Sequence, residues 1–156
     1  MGVTGCGKTT VGAQLAKDCG WEFLDADDFH PAENVAKMKS GAALTDEDRR
    51  PWLARLNSML VDGEKHPRSL VLACSALKQI YRDRLTRGCA NLRFVFLDGE
   101  PEMIRGRLAA RKGHYMNPNL LDSQFATLER PHDALRLDAA ATPDELVRNI
   151  REVIKS

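Results

Sequence analysis

The sequence predicts an α/β domain built on a parallel sheet with helices on both faces. Two observations carry this. Short apolar runs at residues 21–25, 70–75, 92–97 and 134–138 alternate with longer helical patterns, the rhythm of strands joined by helical crossovers. The runs at 70–75 and 92–97 are continuously apolar rather than alternating, as strands covered on both faces require.

The helices follow in order. Val11, Leu15 and Ala16 form an amphipathic stripe that Gly20 is placed to end. Residues 31–40 read as a helix with Pro31 at the first turn and Gly41 beyond the end. A further helix begins near Thr45 and carries Trp52, Leu56 and Leu60 inward. Residues 76–87 and 101–110 are crossover helices, and Thr142-Pro143-Asp144-Glu145 is a capping-box start for a terminal helix bearing Leu146, Ile150 and Val153. The turn-rich segments 62–68 and 113–119 read as surface loops, the second a candidate lid.

At 156 residues and 43% hydrophobic content, the chain suits one compact domain spanning 1–156. Its 23 basic and 22 acidic side chains nearly cancel, which argues against a nucleic-acid or anionic-membrane partner. Four cysteines, Cys6, Cys19, Cys74 and Cys89, are widely spaced without a Cys-x-x-Cys pair. That pattern fits reduced thiols, and with no long apolar span or leader visible the expected compartment is the cytoplasm.

The chemistry begins at Gly2-Val3-Thr4-Gly5-Cys6-Gly7-Lys8-Thr9, a full match to Gly-x4-Gly-Lys-Ser/Thr. Glycines at 2, 5 and 7 let the backbone curl its N–H groups around a phosphate, and the helix opening at Lys8 adds its positive end. Lys8 reaches the β/γ-phosphates of a nucleotide, the Thr9 hydroxyl suits a Mg²⁺ ion bridging them, and Thr10 continues the helix. Such a loop ordinarily follows a buried strand, yet here Met1 alone precedes Gly2. The expectation is an incomplete form, more stable and more active with a short apolar strand restored before Met1.

The run Phe23 to Pro31 places Asp25, Asp27 and His30 just after a predicted strand, where open α/β sheets build their sites. Asp25 suits the outer shell of the metal, Asp27 the alignment and deprotonation of an acceptor hydroxyl, and His30 a hydrogen bond to a polyol. The bland reading is a solvated acidic turn. Arg49 suits a carboxylate clamp, against the alternative of a surface arginine on a helix with acids at its start. Ser75 and Lys78 lie at a strand-to-helix turn, where functional and ordinary roles are equally open. Arg107 and Arg111 share a helix face four residues apart, so Arg107 suits stacking on adenine and Arg111 neutralising the transferring phosphate, with a solvated helix end as the competing reading.

These segments, in this order, resemble the bacterial-type gluconokinase family among the nucleoside-monophosphate-kinase-like P-loop proteins. The resemblance rests on residues 2–9, 23–31, 34–41, 46–53, 74–78 with Tyr81-Arg82-Asp83, and 107–114 followed by Ser123-Gln124-Phe125 and Thr127-Leu128-Glu129. It implies a P-loop NTPase fold of three α/β/α layers with sheet order 2-3-1-4-5, its first and central strand missing here. Substrate-binding helices would lie at about 28–62 and a small lid at about 111–119. It implies an ATP- and Mg²⁺-dependent transfer to the terminal hydroxyl of D-gluconate, giving 6-phospho-D-gluconate for the pentose phosphate route, and a homodimer. Carried onto this sequence, Lys8, Asp27 and Arg111 are catalytic. Gly2, Val3, Thr4, Gly5, Cys6, Gly7, Lys8, Thr9, Thr10, Arg107 and Arg111 contact the nucleotide. Asp27, His30, Arg49, Ser75, Lys78 and His114 contact the acceptor. The alternatives are a related kinase acting on shikimate or a nucleotide, or an inactive nucleotide-binding homologue.

Overall fold

A computed structural model of the chain describes residues 1–66, 69–110 and 118–155. Helix α1, Lys8–Cys19, leads into strand β1, Glu22–Asp25, and a 3₁₀ turn, Ala26–Phe29. Helices α2, Ala32–Lys39, and α3, Asp46–Glu64, come next, followed by β2, Leu70–Ala73, and α4, Gln79–Thr86. Then come β3, Val95–Asp98, α5, Pro101–Ala110, α6, Pro118–Thr127, β4, Leu135–Asp138, and α7, Pro143–Lys155.

The strands form two parallel pairs. β1 runs beside β2 with Glu22 opposite Leu70 and Asp25 opposite Ala73, while β3 runs beside β4 with Val95 opposite Leu135. Main chain at the start of the sequence lies between the pairs. The Leu97 N–H donates to the Met1 carbonyl at 3.0 Å, the Met1 amino group donates to the Val95 carbonyl, and the Gly2 N–H donates to the Ser75 carbonyl at 3.2 Å. The flanking pairs of the expected 2-3-1-4-5 order are therefore present, and the phosphate loop leaves the sheet between them.

Two apolar cores sit on this frame. One joins α1, α5, α6 and α7 around Leu15, Leu97, Ile104, Leu121 and Ile150. The other joins α3 and α4 beneath β1 and β2, around Leu53, Leu56, Tyr81 and Leu85. Burial of these side chains supplies the main driving force for packing the layers. Gly20 ends α1 in a left-handed conformation, as expected, and α3 starts at Thr45, where the structure adds a reciprocal capping box between Thr45 and Asp48. At α7, the Thr142 hydroxyl donates to Glu145 at 2.7 Å, and the Thr142 oxygen accepts the Glu145 N–H at 3.3 Å.

Several boundaries differ from expectation, and helix α6 was not anticipated. Residues 62–64, read as the start of a surface loop, continue α3 to Glu64, since the Thr45 capping box and the apolar stripe of Trp52, Leu56 and Leu60 carry the helix on. β2 stops at Ala73 and α4 starts at Gln79 rather than at Ala76, because Ala76 is buried at φ 44, a left-handed conformation that neither strand nor helix accepts. Residues 74–78 are thus a loop. β3 begins at Val95 rather than at 92, since Leu92 and Phe94 turn toward the second core. Of the segment read as a loop at 113–119, Pro118 and Asn119 open α6. The rest of it, with the expected lid residues 111–117, lies outside the described residues.

Candidate active site

The phosphate loop is shaped by close approach as much as by backbone freedom. Gly2 sits at φ 139, and a Cβ there would stand 2.7 Å from the Leu97 carbonyl oxygen and 2.9 Å from Cys6 Sγ. Gly7, at φ 101, turns the chain into α1. Val3 and Cys6 are buried beneath the loop, anchoring it to the first core. Lys8 folds back so that Nζ donates to the Val3 carbonyl at 2.9 Å. Thr10 lies on the exposed side of α1.

Thr9 and Asp25 meet directly. The Thr9 hydroxyl donates to Asp25 Oδ2 at 2.8 Å, and Asp25 Oδ1 accepts the Asp27 N–H at 3.2 Å. Asp25 therefore caps the 3₁₀ turn that presents Asp27. The Asp27 side chain is 87% exposed. The protein wall around it and then the Asp25 charge push its pKa up, while Lys8 and His30 pull it down. Water screens so exposed a carboxylate, so the shift speaks to its readiness to take a proton, not to stability.

His30 lies 3.9 Å from Asp27 and is 6% exposed. Its ring stacks on Trp52 with centroids 4.3 Å apart and planes at 12°. Trp52 in turn donates its indole N–H to the Ala26 carbonyl at 2.8 Å. One buried tryptophan thus fixes both ends of the turn that carries Asp27. Burial lowers the His30 pKa, Asp27 opposes that and Arg49 adds to it, which favours the neutral imidazole. His30 Nδ1 is buried and has no partner among the described residues.

A second group of polar side chains lies on α3, on α4 and in the loop before α4. Arg49 donates to the carbonyls of Leu44 and Thr45, and its guanidinium lies 5.6 Å from the centre of the Tyr81 ring. Lys78 reaches both oxygens of Asp46, at 2.9 and 3.0 Å, and Tyr81 donates its hydroxyl to the same carboxylate. Hydrogen bonds from Tyr81 and then Lys78 hold Asp46 below the ordinary carboxylate range. Lys78 is therefore already paired, whereas the family resemblance implied a contact with the acceptor. Ser75 lies in the same loop, its carbonyl holding the Gly2 N–H. That loop is secured by Arg82, 2% exposed, whose guanidinium donates to the carbonyls of Ala76 and Leu77 at 2.9 and 3.2 Å.

Arg107 is half-buried on α5, and the next residue, Leu108, packs so close to Gly5 that a Cβ on Gly5 would stand 2.9 Å from it. Arg111 and His114 lie outside the described residues. The structure thus brings Lys8, Thr9, Asp25, Asp27 and His30 to one corner and holds Arg49, Ser75 and Lys78 in a second group on α3 and the 74–78 loop. Asp46 and Gln124 were not singled out from sequence. Asp46 read as one acid of a helix start, and Gln124 as part of a motif without a role. The available signal for Gln124 was a polar residue on the stripe of Leu121, Phe125 and Leu128.

All four cysteines are free thiols, and burial pushes Cys74 up to about 11. No helix among the described residues is long and apolar enough to cross a membrane.

A loop of this sequence, opening a helix beside parallel strands with a carboxylate pair at the strand end, defines a P-loop kinase. Residues 4–155 match the shikimate kinase family. Relatives narrow the assignment. A probable gluconokinase of Xenopus tropicalis is 47% identical over 146 residues, covering 84% of this chain and 77% of that protein. The thermoresistant gluconokinase of Escherichia coli K12 is 41% identical over 159 residues, covering 99% and 91%. The crystal structure of a gluconokinase from Sinorhizobium meliloti 1021 superposes with a TM-score of 0.86 at 41% identity, covering 95% of this chain and 85% of that one. The chain belongs to the gluconokinase family.

Proposed function

We propose that this protein transfers the γ-phosphoryl group of ATP to the terminal hydroxyl of D-gluconate, yielding ADP and 6-phospho-D-gluconate. The observation that carries this reading is the Thr9–Asp25 hydrogen bond, which joins the phosphate loop to the turn presenting Asp27 and His30. Donor and acceptor machinery thereby share one corner.

In this reading the loop N–H groups of residues 2–9 and the dipole of α1 cradle the phosphates, and Lys8 leaves Val3 to pair with the β/γ-phosphates. Asp27 orients the 6-hydroxyl and takes its proton as the O–P bond forms, while the bond to ADP breaks. His30 donates to or accepts from a sugar hydroxyl, and Arg49 meets the carboxylate. Ser75 lines the same side, and Lys78 acts through Asp46 and Tyr81 to set its shape. Arg107 flanks the nucleotide, and Arg111 and His114 are assigned to the nucleotide and the acceptor by position in the family motif.

A hydroxyl and a carboxylate, Thr9 and Asp25, fit Mg²⁺, a cation that takes oxygen ligands and keeps several waters and phosphate oxygens. Among the described residues no larger cluster of His, Cys, Asp or Glu competes as a metal site. Bound there, Mg²⁺ would neutralise charge on the β- and γ-phosphates. We further assign the protein to the cytoplasm, as one domain over 1–156 acting as a homodimer.

The test is initial velocity at saturating ATP and Mg²⁺ with gluconate, shikimate, glycerate or AMP as acceptor. Gluconate is expected to give the largest kcat/KM. A preference for shikimate, the acceptor that names the matched family, would replace this reading.

A further inference from the structure

The segment from Ser123 to Glu129 has no part in the chemistry above, yet it touches both halves of the site. On α6 the inward stripe is Leu121, 1% exposed, and Phe125, with Leu128 just past the helix end, all packed on the first core. Gln124 shares that stripe and is half-buried. A side-chain amide there is costly unless it is hydrogen-bonded. Its Oε1 accepts the Thr4 N–H of the phosphate loop at 2.7 Å.

The other end of the segment grips the acceptor loop. Glu129 Oε2 accepts the Gln79 N–H at 2.5 Å, and the Glu129 N–H donates to the Leu77 carbonyl at 2.9 Å. Gln79 is the first residue of α4, and Lys78 before it provides no side-chain cap. A carboxylate borrowed from across the fold therefore satisfies an orphan donor at the positive end of α4. The loop it pins carries Ser75 and Lys78, and Arg82 secures the same loop from within.

We infer that Gln124 and Glu129 are positioning residues forming a strut that fixes the phosphate loop relative to the acceptor loop and couples nucleotide binding to acceptor binding. The strut rests on the kinase reading above for the identity of the acceptor. Neither residue touches a reacting atom. A nucleotide that orders the loop through Lys8 thereby also orders residues 76–79 through α6, so the second ligand meets a site already arranged.

The experiment is calorimetric titration of the full chain with AMP-PNP and Mg²⁺, with gluconate, and with gluconate in the presence of saturating AMP-PNP. In the unsubstituted protein gluconate is expected to bind more tightly once AMP-PNP is present. Gln124→Leu, which keeps the packing and removes the acceptor, should weaken AMP-PNP roughly three- to tenfold. It should leave gluconate alone within about twofold and bring the ratio of the two gluconate affinities toward one. Glu129→Ala should weaken gluconate and lower the same ratio. An unchanged ratio in folded Gln124→Leu and Glu129→Ala overturns the strut. Amide exchange in the unsubstituted protein guards against a variant that does not fold: Thr4 and Gln79 should be protected, and exchange at unprotected rates overturns the proposal. If AMP-PNP binds but gluconate does not, the acceptor assignment and the coupling fall together. The positioning role of Gln124 is then decided by AMP-PNP affinity and exchange at Thr4.

Discussion

Replacing Trp52 with Phe should uncouple the acceptor corner from its support while leaving the nucleotide side in place. Trp52 is 4% exposed, donates to the Ala26 carbonyl at 2.8 Å and stacks under His30 at 4.3 Å. Phenylalanine keeps an aromatic face but has no N–H, so a buried carbonyl loses its donor at about 1–3 kcal/mol. The smaller ring also loses part of a stack worth about 0.5–1.5 kcal/mol. Together these give about 2–4 kcal/mol, a substantial share of a typical domain stability of ~5–15 kcal/mol. For a chain of this size each kcal/mol moves Tm by about 2–4 °C, so a fall of roughly 5–15 °C is expected. Thermal unfolding by circular dichroism measures that, and steady-state kinetics on the folded variant measures the rest. KM for gluconate should rise several-fold while KM for ATP changes less than about twofold, because the Ala26–Phe29 turn presents Asp27 and His30 but the phosphate loop hangs from the sheet. A Tm within about 2 °C of the unsubstituted protein would refute the energetic reasoning. An unchanged gluconate KM in a destabilised variant would reduce Trp52 to core packing.

Gly2→Ala should cost at least ~1–3 kcal/mol and weaken ATP binding, because its Cβ would meet the Leu97 carbonyl at 2.7 Å, a main-chain atom unable to yield. Gly41→Ala, at φ 83 with open space around it, should cost only the left-handed backbone penalty of ~1–2 kcal/mol, and denaturant titration compares the two. Ala76→Gly should leave stability unchanged or raise it by up to ~1 kcal/mol, since glycine relieves φ 44, and a loss larger than that in the same assay would show that the methyl packs more than it strains. Acid should weaken the acceptor helices through Asp48, which hydrogen bonds from Lys37 and then Thr45 hold at about 2. Its folded pKa is depressed, so its contribution is present above the unfolded value near 3.8 and is lost as pH falls toward 2. Asp48→Asn should flatten the stability profile across that window.

Much of the fold was legible because local signals agreed with tertiary demands. Gly20, the helix start near Thr45 and the Thr142–Glu145 box each mark a helix end that the backbone needs regardless of its neighbours. The extent of the loop at 74–78 was not legible, because Ala76 adopts a conformation that alanine disfavours, held by the Arg82 guanidinium on the next helix and, at Gln79, by Glu129 from across the fold. Lys8 and Thr9 were singled out by the loop motif and Asp25 and Asp27 by their place after a predicted strand, and the structure brings the four to one corner. The pairing of Lys78 with Asp46 and the support of His30 by Trp52 were not, because each joins residues from separate elements. Trp52 read simply as core, and it is core, yet its one polar atom is what organises the turn above it.

The central claim is that Asp27, at the corner shared with Lys8 and His30, orients and deprotonates the acceptor hydroxyl of gluconate. Rapid-quench measurement of phosphoryl transfer from ATP to gluconate by Asp27→Asn, beside the unsubstituted protein, tests it most directly. The account predicts a loss of roughly 10²–10⁴-fold in the transfer rate, with ATP and gluconate affinities within a few-fold of the original. Transfer at near-normal rate by Asp27→Asn would contradict it.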